Sequence, residues 1–261
     1  MSDFKIGIDY GGTKIEGILI DSNGKEILRN RSTYEKNYES GLNTVKSLVS
    51  EFDKFTGQQN SVGVCIPGFS SYETGLVNNA NCIWINDKPF HKDLEKSLNR
   101  EIRIMNDANC FALSEAIDGS GANYKSVWGV IIGSGFGGSF VYEKKVIEGV
   151  NQIAGDWGHQ PLPYPTDEEI NSNVKCNVGN CKRPLCAEQF ISGIGFTKLF
   201  NEKYGTSLRT REIVALEANG DERAKKEFEL YEDRFARLIS VMIGIVDPEV
   251  IVFGGGMSNV G

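Results

Sequence analysis

The sequence predicts an α/β protein of two lobes that repeat one motif, and three observations predict it. A strand, a glycine turn and a second strand open the chain, in Ile6-Gly7-Ile8-Asp9-Tyr10-Gly11-Gly12-Thr13-Lys14 followed by the apolar run from Ile15 to Ile20. The same succession returns at residues 127–132, Gly133-Ser134-Gly135-Phe136-Gly137-Gly138 and residues 139–142. A length of 261 residues is enough to bury two cores. We read an internal duplication with one phosphate clamp per lobe; the alternative is two unrelated glycine hairpins. The expected division is 1–117 and 118–261, with residues 118–123 (Asp-Gly-Ser-Gly-Ala-Asn) as a hinge.

Each element has its own signal. Ile6 and Ile8 alternate as in a half-buried strand, and Gly11-Gly12 are expected to turn the chain with positive φ. Asp21-Ser22-Asn23-Gly24 is a turn before a third strand over 26–30. Leu42, Val45, Leu48, Phe52 and Phe55 follow helical spacing, and Gly57 is a stop. Val62, Val64 and Ile66 alternate until Pro67-Gly68 opens a long loop to Trp84. Leu94 and Leu98 mark a short helix on which His91 is expected at the solvated surface. A strand over 102–105 follows, then a helix capped within Asn106-Asp107-Ala108-Asn109. Residues 155–188 read as irregular. Ala224, Phe228, Tyr231, Phe235, Leu238, Met242 and Ile245 then make one long amphipathic helix, stopped by Asp247-Pro248. A buried strand over 250–253 runs into Gly254-Gly255-Gly256.

Composition narrows the function. A formal net charge of −7 argues against a nucleic-acid surface. No apolar run reaches membrane-spanning length and no signal peptide precedes the first strand, so we expect a cytoplasmic protein without a membrane partner. In a reducing compartment, clustered cysteines bind metal more often than they form disulfides.

Three groups of residues carry chemistry. Glycine turns let backbone N–H groups approach phosphate oxygens; Thr13 adds a hydroxyl, and Asp9 can hold Mg²⁺ through water. Asp107, where a strand becomes a helix, can accept a proton from an attacking hydroxyl, or it can be a plain helix cap. His159, Cys176, Cys181 and Cys186 are the donor types of a tetrahedral, structural Zn²⁺ site, although free cysteines in a loop remain the alternative.

With these residues in place, the chain resembles the ROK family of sugar kinases and repressors, and within it the bacterial fructokinases of mannokinase type. Asp9-Tyr10-Gly11-Gly12-Thr13-Lys14 is similar to the family's first phosphate motif, and Gly133-Ser134-Gly135 to its second. Ile66-Pro67-Gly68, Val77-Asn78-Asn79-Ala80-Asn81 and Asn106-Asp107-Ala108-Asn109 resemble its sugar-contacting loops. Gly155-Asp156-Trp157-Gly158-His159 resembles its ExGH element, Cys181 to Glu188 the end of its zinc motif, and Gly254-Gly255-Gly256 its adenosine loop. The resemblance implies an actin-like (ribonuclease H-like) two-lobed fold with a duplicated βββαβα core, and a homodimer. It implies ATP and Mg²⁺ as cofactors and Asp107 as base toward a sugar hydroxyl. Gly68, Asn79, Asn106, Asp107, Asp156, His159 and Glu188 would contact the sugar. The fructokinase subtype rests on residues 78–81, Trp84, Pro89-Phe90, Lys92-Asp93-Leu94 and residues 159–163, with fructose 6-phosphate as product; N-acetylglucosamine kinases are the nearest rival, followed by glucose or mannose kinases.

Three departures accompany the resemblance. Asp156 replaces the usual Glu of ExGH, Cys176 lies further out than the first cysteine of CxCGxxGC, and Ser134 stands where Thr is common. Family members continue beyond the adenosine loop, so a chain ending at Gly261 is expected to be a shortened form with a weakened nucleotide pocket. A repressor would need a helix-turn-helix before the first strand, and a dinucleotide-binding fold would need a helix after Gly11-Gly12. A sugar-binding relative without catalysis is the remaining alternative.

Overall fold

In the computed structural model, which describes residues 4–172, 174–176 and 181–259, the opening motif forms the middle of a sheet. Strand β1 (Phe4–Tyr10) pairs antiparallel with β2 (Lys14–Asp21) and parallel with β4 (Ser61–Ile66). With β3 (Glu26–Thr33) and β7 (Arg103–Asn106) outside them, the order is β3-β2-β1-β4-β7. Ile6, Ile8 and Tyr10 point to one face, where α1 (Tyr38–Thr56) covers them with Val45, Leu48, Val49 and Phe52. Asn37 caps α1 by accepting the Ser40 N–H at 2.8 Å, and Gly57 at φ 69° ends it. The loop after β4 holds the two-residue strands β5 (Phe69–Ser70) and β6 (Val77–Asn78) and a 3₁₀ turn, Ile83–Ile85. Helix α2 (Phe90–Leu98) buries Phe90, Leu94 and Leu98, and α3 (Asp107–Ile117) follows β7. His91 is not a solvated side chain: it is half-buried, with Nε2 3.1 Å from the Ile102 carbonyl oxygen.

The chain divides into two units. The first runs to Cys110 and includes Val150–Ile153; the second is Phe111–Gly149 and Ala154 onward. The division falls within α3. The stretch 118–123 lies inside the second unit, where the Gly121 N–H donates to the Glu115 carbonyl at 2.9 Å.

The second unit repeats the first in strand order. Strands β8 (Ser126–Ile132), β9 (Phe136–Tyr142), β10 (Lys145–Val146) and β11 (Val250–Gly254) lie as β10-β9-β8-β11, with β8 and β9 antiparallel and β8 and β11 parallel. That is the β3-β2-β1-β4 arrangement again, so the duplication read from two glycine turns extends to four strands. Between β10 and β11 run α4 (Asp167–Asn171), α5 (Ala187–Ile191), α6 (Gly193–Tyr204), α7 (Thr210–Ala218) and α8 (Glu222–Val246). Helix α8 starts where Asp221 accepts the Arg223 N–H at 2.9 Å and ends at Asp247, φ 43°. Trp128, Phe136, Trp157, Phe190, Phe196, Phe200 and Leu238 fill this core; each large side chain buried there is worth roughly 1.5–3 kcal/mol. Among the described residues no helix is long and apolar enough to cross a membrane.

Candidate active site

The first clamp is closed by the Gly11 N–H, which donates to the Lys14 carbonyl at 3.1 Å. Neither Gly11 nor Gly12 takes the positive φ expected from the sequence. Glycine is required at position 11 by proximity: a Cβ would stand 2.9 Å from the Lys14 carbonyl oxygen. Asp9, at the end of β1, is exposed and accepts the Cys65 thiol at 3.4 Å; Thr13 and Lys14 are exposed beside it. The Tyr34 hydroxyl donates to the Gly11 carbonyl at 2.8 Å.

Asp107 is the first residue of α3, but the cap is Asn106. Asn106 Oδ1 accepts the N–H groups of Ala108 at 2.9 Å and Asn109 at 3.3 Å, while its Nδ2 donates to the Gly68 carbonyl at 3.0 Å. Asp107 accepts its neighbour, Ala108 N–H, at 2.8 Å. Crowding protein atoms push its carboxyl up to about 6; the Ala108 N–H pulls the other way and the Asp9 charge adds to the rise. Solvent still reaches this side chain. A carboxylate can be accessible on one side and poorly hydrated on the other, which suits a group that must hold and release a proton. Gly68 has φ 94°, and its missing side chain leaves room for the backbone of Asn78 and Ala80, so the loop carrying Asn79 lies directly against it.

In the second unit, Glu188 opens α5, 5% exposed, and accepts the Phe136 N–H at 2.9 Å. Burial pushes its carboxyl up to about 7, the Phe136 N–H opposes this, and the Asp156 charge adds to it. The Glu188 N–H donates to the Gly158 carbonyl at 2.8 Å and the Ala187 N–H to the Gln160 carbonyl at 2.8 Å, so residues 158–160 and Glu188 move as one piece. A Cβ on Gly158 would collide with the Phe136 carbonyl. Trp157 is buried between them, leaving Asp156 exposed. In the second clamp the Gly133 N–H donates to the Gly135 carbonyl at 2.9 Å, and Gly135 faces Glu188.

The four nominated metal ligands do come together. The donor atoms of His159, Cys176, Cys181 and Cys186 all lie within 4.8 Å of one another. His159 Nδ1 is 3.4 Å from Cys186 Sγ and 3.7 Å from Cys176 Sγ. Cys176 reaches the group because its N–H donates to the Arg183 carbonyl at 3.0 Å, a pairing that offsets its outward position in sequence. The intervening residues 177–180 lie outside the described residues. Burial, then the Cys176 thiol, pushes the Cys186 thiol upward, so several thiolates in this pocket call for a cation. The donor set and its spacing fit a tetrahedral Zn²⁺.

Two of the three glycines at the end of β11 serve packing. Gly254 faces the Phe111 ring, and Gly255, at φ 91°, lies on the Ile132 backbone; only Gly256 opens onto free space. The last two residues, 260 and 261, lie outside the described residues.

Residues 5–261 match the ROK family. The chain belongs to it. It is 39% identical over 257 residues to the N-acetyl-D-glucosamine kinase of Pasteurella multocida, covering 98% of this chain and 84% of that one. It is 38% identical over 255 residues to a protein of the same name from Escherichia coli, covering 97% and 84%. Among solved structures, the ROK hexokinase of Thermus thermophilus is similar with a TM-score of 0.84 at 23% identity, covering 99% of this chain and 84% of that one. The Streptomyces griseus ROK glucokinase, solved with glucose and AMPPNP, gives 0.79 at 21%, covering 99% and 85%. The actin-like two-lobed fold is thereby shown.

The fructokinase subtype finds no support among these relatives, and the structure supplies a reason. Much of what suggested it is architecture: Trp84 Nε1 donates to the Tyr10 hydroxyl at 3.1 Å, and Phe90, Leu94 and Leu162 are core. Asp93 accepts the Tyr38 hydroxyl at 2.7 Å, and Pro161 bridges to Cys186. Sequence reasoning missed Cys65 beside Asp9 and Tyr34 beneath Gly11. Both contacts join residues far apart in the chain, and no local pattern marks them.

Proposed function

We propose that N-acetyl-D-glucosamine is the hexose that this ATP-dependent ROK-family kinase phosphorylates. The observation that carries the reading is 39% identity, over 98% of the chain, to a kinase named for that sugar. Asp107 is the base. With its carboxyl near pKa 6 it is mostly ionised at neutral pH and accepts the proton of the sugar hydroxyl as the oxygen bonds to the terminal phosphorus. The bond from that phosphorus to its bridging oxygen breaks, and ADP leaves.

The amides of residues 11–13 and 133–135 hold the phosphates, aided by Thr13, Lys14 and Ser134. Asp9, an exposed carboxylate, would hold Mg²⁺ through water, and the ion would supply positive charge to the phosphates. Gly256 is the open residue of the loop assigned to adenosine. Gly68 shapes the sugar pocket's backbone. Asn79, Asn106, Asp156 and Glu188 hold the sugar. His159 turns Nδ1 toward the cysteines, which leaves Nε2 for a sugar hydroxyl. His159, Cys176, Cys181 and Cys186 would hold a structural Zn²⁺, which would crosslink this loop.

The test is ADP release measured with N-acetyl-D-glucosamine, glucose, mannose and fructose. The expected result is a kcat/KM for N-acetyl-D-glucosamine at least about tenfold above the others, the size of a modest pocket preference. A preference for fructose or glucose overturns the assignment.

A further inference from the structure

The Gly11 peptide is held from both sides: its N–H by the Lys14 carbonyl and its carbonyl by the Tyr34 hydroxyl. Behind Tyr34 stand two aromatic side chains. Trp84 Nε1 donates to the Tyr10 hydroxyl at 3.1 Å, and the Tyr34 ring lies 5.5 Å from the Tyr10 ring and 6.0 Å from the Trp84 ring. A chain of packed side chains therefore runs from Trp84 and Tyr10 through Tyr34 to the Gly11 carbonyl.

Its members have little room to move. Tyr10 is fully buried, 4.9 Å from the Phe90 ring, and its hydroxyl occupies the space a side chain at Gly41 would take. Trp84 sits in the turn Ile83–Ile85, and Asn86, just after it, clasps Ala80 by both N–H and carbonyl at 2.9 Å each. Ala80 adjoins Asn79. The chain thus joins the loop assigned to the sugar with the turn assigned to the phosphates, inside one unit.

We propose that Tyr34 is a positioning residue for phosphoryl transfer, the link through which the sugar-side loop sets the orientation of the Gly11 peptide in the phosphate turn. This rests on the kinase reading. Tyr34→Phe keeps the ring and removes the donor to Gly11. The expected result is a MgATP KM raised about five- to tenfold, the range of one lost hydrogen bond, with the hexose KM unmoved. Tyr10→Phe keeps the Tyr34–Gly11 bond and removes the hydrogen bond that holds Trp84. In calorimetry with a non-hydrolysable ATP analogue, it retains the affinity measured without hexose and loses the tightening that hexose gives the wild type. A Tyr34→Phe MgATP KM within about twofold of wild type, or both KM values rising together with a lowered Tm, overturns the proposal, as does wild-type coupling in Tyr10→Phe or a wild type that shows none. A wild type that turns over no hexose overturns the kinase reading instead.

Discussion

The two phosphate clamps share a strand order and differ in why they contain glycine. At β1–β2, the chain itself demands Gly11, because a side chain would press on the Lys14 carbonyl. At β8–β9, a Cβ on Gly133 would meet nothing within 4 Å. A glycine in open space leaves room for a ligand to approach its backbone, and the ligand proposed here is a phosphate. Support differs too. The first turn rests on Tyr34, whereas the second is held where Gly133 accepts the Gly193 N–H at 2.8 Å, at the start of α6. The acids proposed as base and as Mg²⁺ ligand both belong to the first: Asp9 is the penultimate residue of β1, and Asp107 follows β7.

The sharpest way to break this contrast is to remove the acid. Asp107→Asn should lower kcat about 10²–10⁴-fold in an ADP-release assay while calorimetry shows sugar affinity nearly unchanged. A near wild-type kcat would mean that the base lies elsewhere. Loss of the metal set comes next. Protein purified without added metal should carry one zinc per chain, and Cys186→Ser should lose it, with kcat/KM for the sugar falling on the order of 10–100-fold. Zinc content that survives the substitution would sink the ligand assignment.

A pH profile tests the first unit more gently. Asp107, the proposed base, would work ionised, and its carboxyl is raised to about 6, so kcat/KM should be level above that pH and fall as pH drops through it, approaching about tenfold per unit. The residual activity of Asp107→Asn should lack that inflection. An inflection near pH 4 in wild type would show that crowding does not hold up the Asp107 carboxyl in the free enzyme. The glycine contrast gives a further pair. Gly11→Ala should lower Tm, whereas Gly133→Ala should leave Tm in place and raise the MgATP KM a few-fold, about the loss of one amide contact. Equal Tm losses would erase the distinction.

What could be read from the sequence was what short-range signals carry. Strand β4 has the limits that its alternation set, and α8 ends at Asp247-Pro248 because a proline cannot continue a helix. Asp9 lies near the end of β1 and Asp107 starts α3, whereas His159, Cys176 and Cys181 lie in loops. The sequence could not say whether Asn106 or Asp107 capped α3, since both residue types cap equally well. Nor could it show that Cys176 is brought back to the cluster by Arg183, or that Phe90 is core with Trp84 packed against that core. Each of those outcomes depends on a partner distant in the chain.

The smallest effect concerns the two carboxylates of the second unit. Glu188 is buried and already bound by the Phe136 N–H, whereas Asp156 is exposed on a loop pinned at Trp157. With Trp157 buried and Gly155 at φ 91°, the backbone on both sides of Asp156 is fixed. A longer side chain would therefore extend its reach, by roughly 1.5 Å for one carbon–carbon bond, without shifting the loop. Asp156 can hold the sugar through a water where a glutamate could touch it directly, and exchanging one contact for the other changes affinity modestly. Asp156→Glu should lower the hexose KM by about two- to fivefold, the scale of a hydrogen bond improved but not created, and leave kcat and the MgATP KM alone. An unchanged or higher hexose KM would show that the loop already brings Asp156 into direct contact, so that the shorter acid costs this enzyme nothing.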